Sequence, residues 1–306
     1  MRIVATIGSE GLGVPRSPSD VVTDAVAAEQ AGFGAAWCNH FSRHMDSLTM
    51  LAAAARATSR IELGVGVVPT YPRHPVALAQ AAATVQELAS GRLVLGVGVS
   101  HRVVIENMHG LDYSSQLGHL REYLTILNAL LTSGQCSFQG EHYRVQAGIR
   151  FPGAGPVPVI VGAVGPAMCR LGGELADGVN TWMAGSRYIE RVVAPMAVKG
   201  AEISGRSSPR IVAGIPVALD HDRDRVQEVA ASTFAMYGML PNYRRMLDRA
   251  GAEGPAEVVI GGDEQAVRSG LQAFFEAGAT DVWAVPFDTG NGTAATVELL
   301  ADLAGR

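Results

Sequence analysis

Four helical stretches of this chain end in nearly the same words, and each gives way within a few residues to a short apolar run. The words are Glu29-Gln30-Ala31-Gly32, Glu87-Leu88-Ala89-Ser90-Gly91, Glu174-Leu175-Ala176-Asp177-Gly178 and Glu276-Ala277-Gly278. Glycine at or just past a helix C-terminus takes the left-handed conformation that closes the last turn. Each word therefore reads as a helix-to-strand junction. A chain that repeats this junction is committed to alternating strands and helices, the pattern of a parallel sheet.

Hydrophobic periodicity places eight strands, at 3–7, 35–38, 61–68, 92–99, 157–163, 178–182, 210–217 and 280–286. Most are continuous apolar runs, as expected of strands covered on both faces. Helices fill the gaps. Ser17-Pro18-Ser19-Asp20 offers an N-cap, a proline at the first helical position and an acid two residues on. Leu117, Leu120, Leu124, Leu127 and Leu131 keep the 3,4 spacing of one buried stripe, and Asp263 caps a helix running to Gly278. Eight such units in 306 residues predict one α/β domain over 1–306, a (β/α)8 TIM barrel. Two intervals exceed a single helix and read as insertions after strands 4 and 7. Residues 100–156 add a hairpin at Ser137–Arg144 turning at Gln139-Gly140, and residues 220–279 hold more than one helix, broken from Tyr237 to Pro241. Insertions of this kind build active-site mouths.

Composition then removes whole classes of function. An apolar share of 48% against 17% charged excludes disorder. No apolar run is long enough to span a membrane, and Met1–Gly8 reads as a first strand rather than a signal peptide. A net charge of −5 without a basic stripe argues against nucleic acid. Cys38, Cys136 and Cys169 are odd in number and far apart, which fits a soluble cytoplasmic protein with reduced thiols. Lys199 is the single lysine, so Schiff-base chemistry would depend on a residue near the end of a predicted helix.

Several segments could carry chemistry. In Leu63–Pro75, Gly64 and Gly66 interrupt an apolar strand, which signals either a bulge approached by a ligand or small residues packing at a taper. Leu95-Gly96-Val97-Gly98-Val99-Ser100-His101 ends the fourth strand; bare backbone there suits a flat ring, and Ser100 and His101 would face the mouth. It is not the dinucleotide fingerprint, which needs glycine in place of His101. Val161-Gly162-Ala163-Val164-Gly165-Pro166 opens a helix whose N-terminus attracts an anion, the alternative being a tight turn. Asn39-His40 closes the second strand. His40, His44 and Asp46 prompt a metal reading, but no zinc spacing supports it, and His40 as a lone acid–base or hydrogen-bonding residue is the better one. Trp37, Trp182 and Trp283 fall at strand ends; Trp37 and Trp182, with Tyr71, are taken as walls of the substrate pocket. No serine elbow, tight acid pair or metal ligand set appears, so a bound cofactor is expected to supply the hard chemistry.

In their order, Glu29-x-Ala31-Gly32-Phe33, Trp37-x-Asn39-His40, Gly64-Val65-Gly66-Val67, Arg73-His74-Pro75, Gly91-Arg92, Leu95-Gly96-Val97-Gly98 and Phe138-x-Gly140 resemble the bacterial luciferase-like family, over essentially the whole chain. More narrowly the chain is similar to that family's F420-dependent oxidoreductases. The resemblance implies hydride transfer at C5 of a deazaflavin, to or from a small C=C, C=N or C=O substrate, in a homodimer. It places a non-prolyl cis peptide at Gly66–Val67 behind the ring, and the cofactor phosphate on Gly162, Ala163, Val164 and Gly165. Asn39, Gly98, Val99 and Ser100 complete the implied cofactor face. The family's Asp-His pair becomes Asn39-His40 here. His101 stands where the sugar-phosphate dehydrogenases have a proton-transferring glutamate. That difference, with the scarcity of lysine, counts against a sugar phosphate as substrate. His40 and His101 are the implied proton-transfer candidates, because imidazole titrates near working pH. The alternatives are an FMN-dependent monooxygenase working with a reductase, and a non-catalytic flavin- or F420-binding protein.

Overall fold

The computed structural model describes residues 1–10, 14–15, 17–151, 153 and 155–305. Eight strands form the barrel: β1 (Ile3–Thr6), β2 (Ala35–Cys38), β3 (Glu62–Pro69), β4 (Leu93–Gly98), β5 (Val159–Gly162), β6 (Gly178–Trp182), β7 (Arg210–Leu219) and β8 (Asp281–Pro286). Each pairs in parallel with its sequence neighbours, and β8 returns to β1, so the sheet closes. The strands lie within two residues of the expected ends. A short strand, Ile260–Gly262, extends the far end of β7 in parallel. Among the described residues no helix is long and apolar enough to cross a membrane.

Three of the four junction glycines close helices, with φ of +90° at Gly32, +89° at Gly91 and +98° at Gly278. Gly178 does something else. Its helix ends at Leu175 through an extended Ala176, and Gly178 is the first residue of β6, where a Cβ would lie 2.0 Å from the Arg210 carbonyl oxygen. It is small so that β6 and β7 can pair. The acid of the first junction ties the barrel together: Glu29 accepts the N–H groups of Ser59, Arg60 and Ile61. Burial would raise its pKa, but those three donors hold it down to about 2.

Helix starts follow the expected chemistry. Ser17 and Asp20 form a reciprocal capping box around Pro18, and Asp263 accepts from the Ala266 N–H. On helix Gln116–Ser133, Leu120, Leu124, Leu127 and Leu131 are buried with Tyr123, Ile126 and Leu130. Leu117 is exposed instead, because the first turn of that helix reaches the barrel mouth. The hairpin pairs Gln135–Gln139 with Arg144–Gly148. Its turn spans 140–143 rather than Gln139-Gly140, since the Glu122 carboxylate gathers the N–H groups of Glu141, His142 and Tyr143 at 2.8, 2.9 and 3.0 Å. The interval after β7 holds helices Arg223–Thr233, Ala235–Met239 and Pro241–Ala250, with the break at Leu240.

The barrel interior is filled by Val4, Ala35, Trp37, Val94, Ile160, Val212, Trp283 and Val285, a packed core rather than a pore. Its N-terminal end is plugged by charge. Arg210 bridges Glu62 and Asp281, its guanidinium lies 5.9 Å from the Trp37 ring, and Arg2 bonds the same two carboxylates.

Candidate active site

At the opposite, C-terminal end of the strands lies a cavity of about 1050 Å³, at the upper end of the ~300–1,000 Å³ usual for ligand sites. The structure brings together there Asn39 and His40 after β2, Gly66 and Val67 of β3, Gly98, Val99, Ser100 and His101 after β4, Gly162, Ala163, Val164 and Gly165 after β5, and Trp182 of β6. Every expected cofactor-face residue and both histidines border one space. Active sites of this fold occupy that end.

The third strand explains the shape of the floor. Its register against β4 slips between Val65 and Val68, and the Gly66–Val67 peptide is cis. The glycines divide between packing and ligand access. A Cβ on Gly64 would lie 2.2 Å from Trp37 Nε1, and one on Gly96 would lie 2.0 Å from the Val65 carbonyl oxygen, so these two serve the interior. Gly98 and Gly162 leave room for the Val67 side chain, which a Cβ on either would approach to 2.7 and 3.0 Å. The surface expected as bare backbone is therefore capped by an isopropyl group.

Two expected walls lie elsewhere. Trp37 is fully buried and turned toward the plugged end, its indole donating to Glu62 at 3.2 Å. Tyr71 sits behind the mouth, stacked on His119 at 3.9 Å with its hydroxyl on the Ser114 carbonyl. Trp283, left out of the expected walls, does border the cavity. Sequence reasoning also missed the wall supplied by the insertion after β7. There Phe234 and Tyr237 meet Trp182 edge-on, and Tyr243 lies 5.9 Å from the His101 ring. The 3,4 spacing of Tyr243, Met246 and Leu247 marked a buried stripe, but nothing in it specified which cavity it would wall.

Burial favours the neutral form of both histidines. Burial lowers the His40 pKa to about 4, opposed by Asp46 and assisted by Arg73 and His109; burial also lowers that of His101. The expectation of titration near working pH fails for His40, because partial burial penalises the charged ring; for His101 the shift has the same direction and cause. His40 Nδ1 is 2.7 Å from Ser47 Oγ. Asp46, considered above beside His40 and His44 as a metal ligand, instead caps a helix through the Thr49 N–H and pairs with Arg73. The rim carries Arg102, Arg245 and Arg249 against Glu106. Lysine is scarce, but three arginines line the cavity, one of them, Arg102, paired with Glu106.

The loop after β5 is held at two points: the Ala163 N–H bonds the Asn180 carbonyl at 2.9 Å, and the Tyr188 hydroxyl bonds that of Val164 at 2.7 Å. Gly165 is the extended N-cap of helix Pro166–Leu175, whose first-turn N–H groups have no partner within the helix. Asn180 Oδ1 and Thr181 Oγ1, on cavity-lining residues, are buried without a hydrogen-bond partner. Unsatisfied polar atoms and an anion-favouring helix end beside an apolar floor fit a ring cofactor carrying a phosphate.

Comparison with known proteins agrees with this geometry. The sequence model of the family described as luciferase-like monooxygenase matches residues 2–285. The F420-dependent glucose-6-phosphate dehydrogenase of Nakamurella multipartita is 34% identical over 263 residues, 81% of this chain and 76% of its own. The coenzyme F420-dependent tetrahydromethanopterin reductase of Methanopyrus kandleri superposes with a TM-score of 0.81 at 22% identity, over 98% of this chain and 96% of that one. An F420-dependent secondary alcohol dehydrogenase, solved with an F420–acetone adduct, gives 0.80 at 19% identity, over 100% and 99%.

Proposed function

This chain belongs to the luciferase-like monooxygenase family, and from that footing we propose that it is a coenzyme F420-dependent oxidoreductase acting on a small organic C=O, C=N or C=C bond. The observation that carries the reading is the single cavity in which the Gly66–Val67 bulge, the Gly162–Gly165 loop and His40 face one another. When bound, the deazaflavin supplies or accepts a hydride at C5. Val67, Gly98 and Gly162 would support the ring, the loop from Gly162 to Gly165 would hold the phosphate at the helix N-terminus, and the rim arginines would favour anionic groups.

His40, which lines the cavity, would act on the substrate's heteroatom. Being neutral, it serves as a hydrogen-bond partner at the reacting group and not as a standing imidazolium acid. His101 shapes the rim beside Tyr243. Aromatic walls from Trp182, Phe234 and Tyr237 exclude water from the reacting bond.

The test is equilibrium binding of F420 and of FMN to the cofactor-free protein, followed by turnover of ketone, imine and enone panels with reduced F420. F420 is expected to bind at least about tenfold more tightly than FMN, a difference of about 1.4 kcal/mol. Tighter FMN binding with reductase-dependent oxygen uptake would replace this reading with a flavin monooxygenase. F420 binding without turnover of any panel member would leave a binding protein.

A further inference from the structure

We propose that Ser47 is a positioning residue for His40: its hydroxyl donates to Nδ1 and holds the imidazole as the tautomer with hydrogen on Nε2, so that the cavity is offered a hydrogen-bond donor. The assignment of the tautomer stands on the free protein. Its consequence for substrates rests on the role of His40 proposed above.

Ser47 opens helix Ser47–Ala57 and is wholly buried. Its Oγ lies 2.7 Å from His40 Nδ1 and has no other hydrogen-bond partner among the described residues. A buried hydroxyl with one partner satisfies its hydrogen only by donating; if it accepted from an Nδ1–H, that hydrogen would be stranded away from water. With Nδ1 accepting, the neutral ring carries its proton on Nε2, the nitrogen left for the cavity that His40 borders.

The charged groups around the ring do not reverse this choice. Asp46 could have taken an Nδ1–H, but its carboxylate is engaged by the Thr49 N–H and by Arg73. Arg73 carries no acceptor, and among the described residues no hydrogen bond joins His109 to the His40 ring. A carboxylate at Nδ1 makes a histidine a base at its other nitrogen; a hydroxyl donor makes it a donor there. A site furnished this way stabilises negative charge developing on an oxygen or nitrogen. It therefore favours reduction of a carbonyl or imine over that of an unpolarised alkene.

Two-bond proton–nitrogen correlation spectra of ¹⁵N-histidine-labelled, cofactor-free protein test the tautomer directly, with the His40 signal identified by its loss in His40→Gln. The wild-type protein is expected to show Nε2 protonated. Ser47→Ala should lose that preference and Ser47→Thr should keep it. A wild-type ring protonated on Nδ1, or an unchanged pattern in Ser47→Ala, overturns the proposal, and the wild-type spectrum decides even if a variant fails to fold. In turnover of carbonyl or imine substrates, Ser47→Ala should lower kcat about tenfold to a hundredfold with KM within a few-fold. A changed tautomer with unchanged kcat would uphold Ser47 as the positioning residue and overturn the role of His40.

Discussion

A methyl group on Gly66 would lie 2.6 Å from the Trp283 ring and 2.6 Å from Asn180 Nδ2, so β3 meets β6 and β8 across the floor of the cavity with no space to spare. The ring and the amide belong to strands whose positions the barrel fixes, and neither can retreat without disturbing the interior. Gly66→Ala is expected to cost about 1–3 kcal/mol of stability through overpacking. It should weaken F420 binding as well, because the floor shifts. Denaturant unfolding and a binding titration on the same variant check both effects.

Gly165 presents the opposite case. Nothing lies within 4 Å of where its Cβ would be, and its extended backbone, at φ −88° and ψ 147°, suits any residue. Aspartate there is a good N-cap and should leave stability unchanged or raised by a few tenths of a kcal/mol. It also sets a negative charge where the cofactor phosphate is proposed to sit. Gly165→Asp should therefore weaken F420 binding by about tenfold or more while thermal unfolding is unaltered, with Gly165→Ser as the uncharged control. Unchanged affinity in the aspartate variant would move the phosphate elsewhere.

The barrel was legible because its signals are local and repeated. Continuous apolar runs mark buried parallel strands, and the junction words mark where helices stop. The lining of the candidate site was legible at His40, Gly98 and Gly162, since the end of a barrel strand is a place that topology defines, and at Gly66, which interrupts an apolar strand. It was not legible where a side chain's direction decides its role. Trp37 and Trp283 look alike in sequence, yet Trp37 packs toward the Arg210 plug and Trp283 borders the cavity. Nor could the chain alone place Tyr237 and Tyr243, because a mouth insertion folds over whichever strands its length and packing allow.

The charged plug makes a prediction about stability alone. Arg210 bonds both Glu62 and Asp281, and the Asp281 carboxylate is almost fully buried. Removing the guanidinium leaves two carboxylates with only Arg2 between them. Arg210→Met is expected to cost about 3 kcal/mol, the lower end for a broken buried pair because Arg2 compensates in part. The plug is at the far end of the barrel from the cavity, so F420 affinity should stay within about twofold. Chemical denaturation and a binding isotherm read the two quantities separately.

Histidines buried as neutral rings predict an acid-sensitive fold. His119 is 5% exposed, bonded to Thr70 Oγ1 at 3.0 Å. Burial lowers its pKa to about 4, with His142 adding and Glu122 opposing, and burial likewise takes His40 to about 4. An unfolded histidine titrates near 6.5. Between those values the unfolded chain binds protons that the folded chain does not, so stability falls as pH falls from about 6.5 to about 4. Glu29 contributes separately, below its unfolded value near 4.5. Thermal unfolding measured from pH 8 to pH 4.5 should show this decline, and His119→Gln should make it shallower. A midpoint independent of pH across that range would contradict the neutral burial of these rings.

The two histidines at the mouth should differ in what they contribute to turnover. His40 is held at Nδ1 by Ser47 and borders the cavity, whereas the His101 side chain has no hydrogen bond among the described residues and touches Tyr243 only ring to ring. An oriented donor at the reacting atom is worth about 10²–10³ in kcat. His40→Ala is therefore expected to lower kcat by about that factor with F420 affinity within a few-fold, and His101→Ala to lower kcat/KM by about tenfold or less, chiefly through a raised substrate KM. With the His40 ring held down to about 4, its titration should leave no inflection near 6.5 in the pH profile of kcat/KM. Steady-state kinetics of both variants across pH 5.5–8 decide the matter. A large loss confined to His101→Ala would exchange the two roles. Normal turnover in both would assign proton delivery to water, leaving the barrel to orient the reactants.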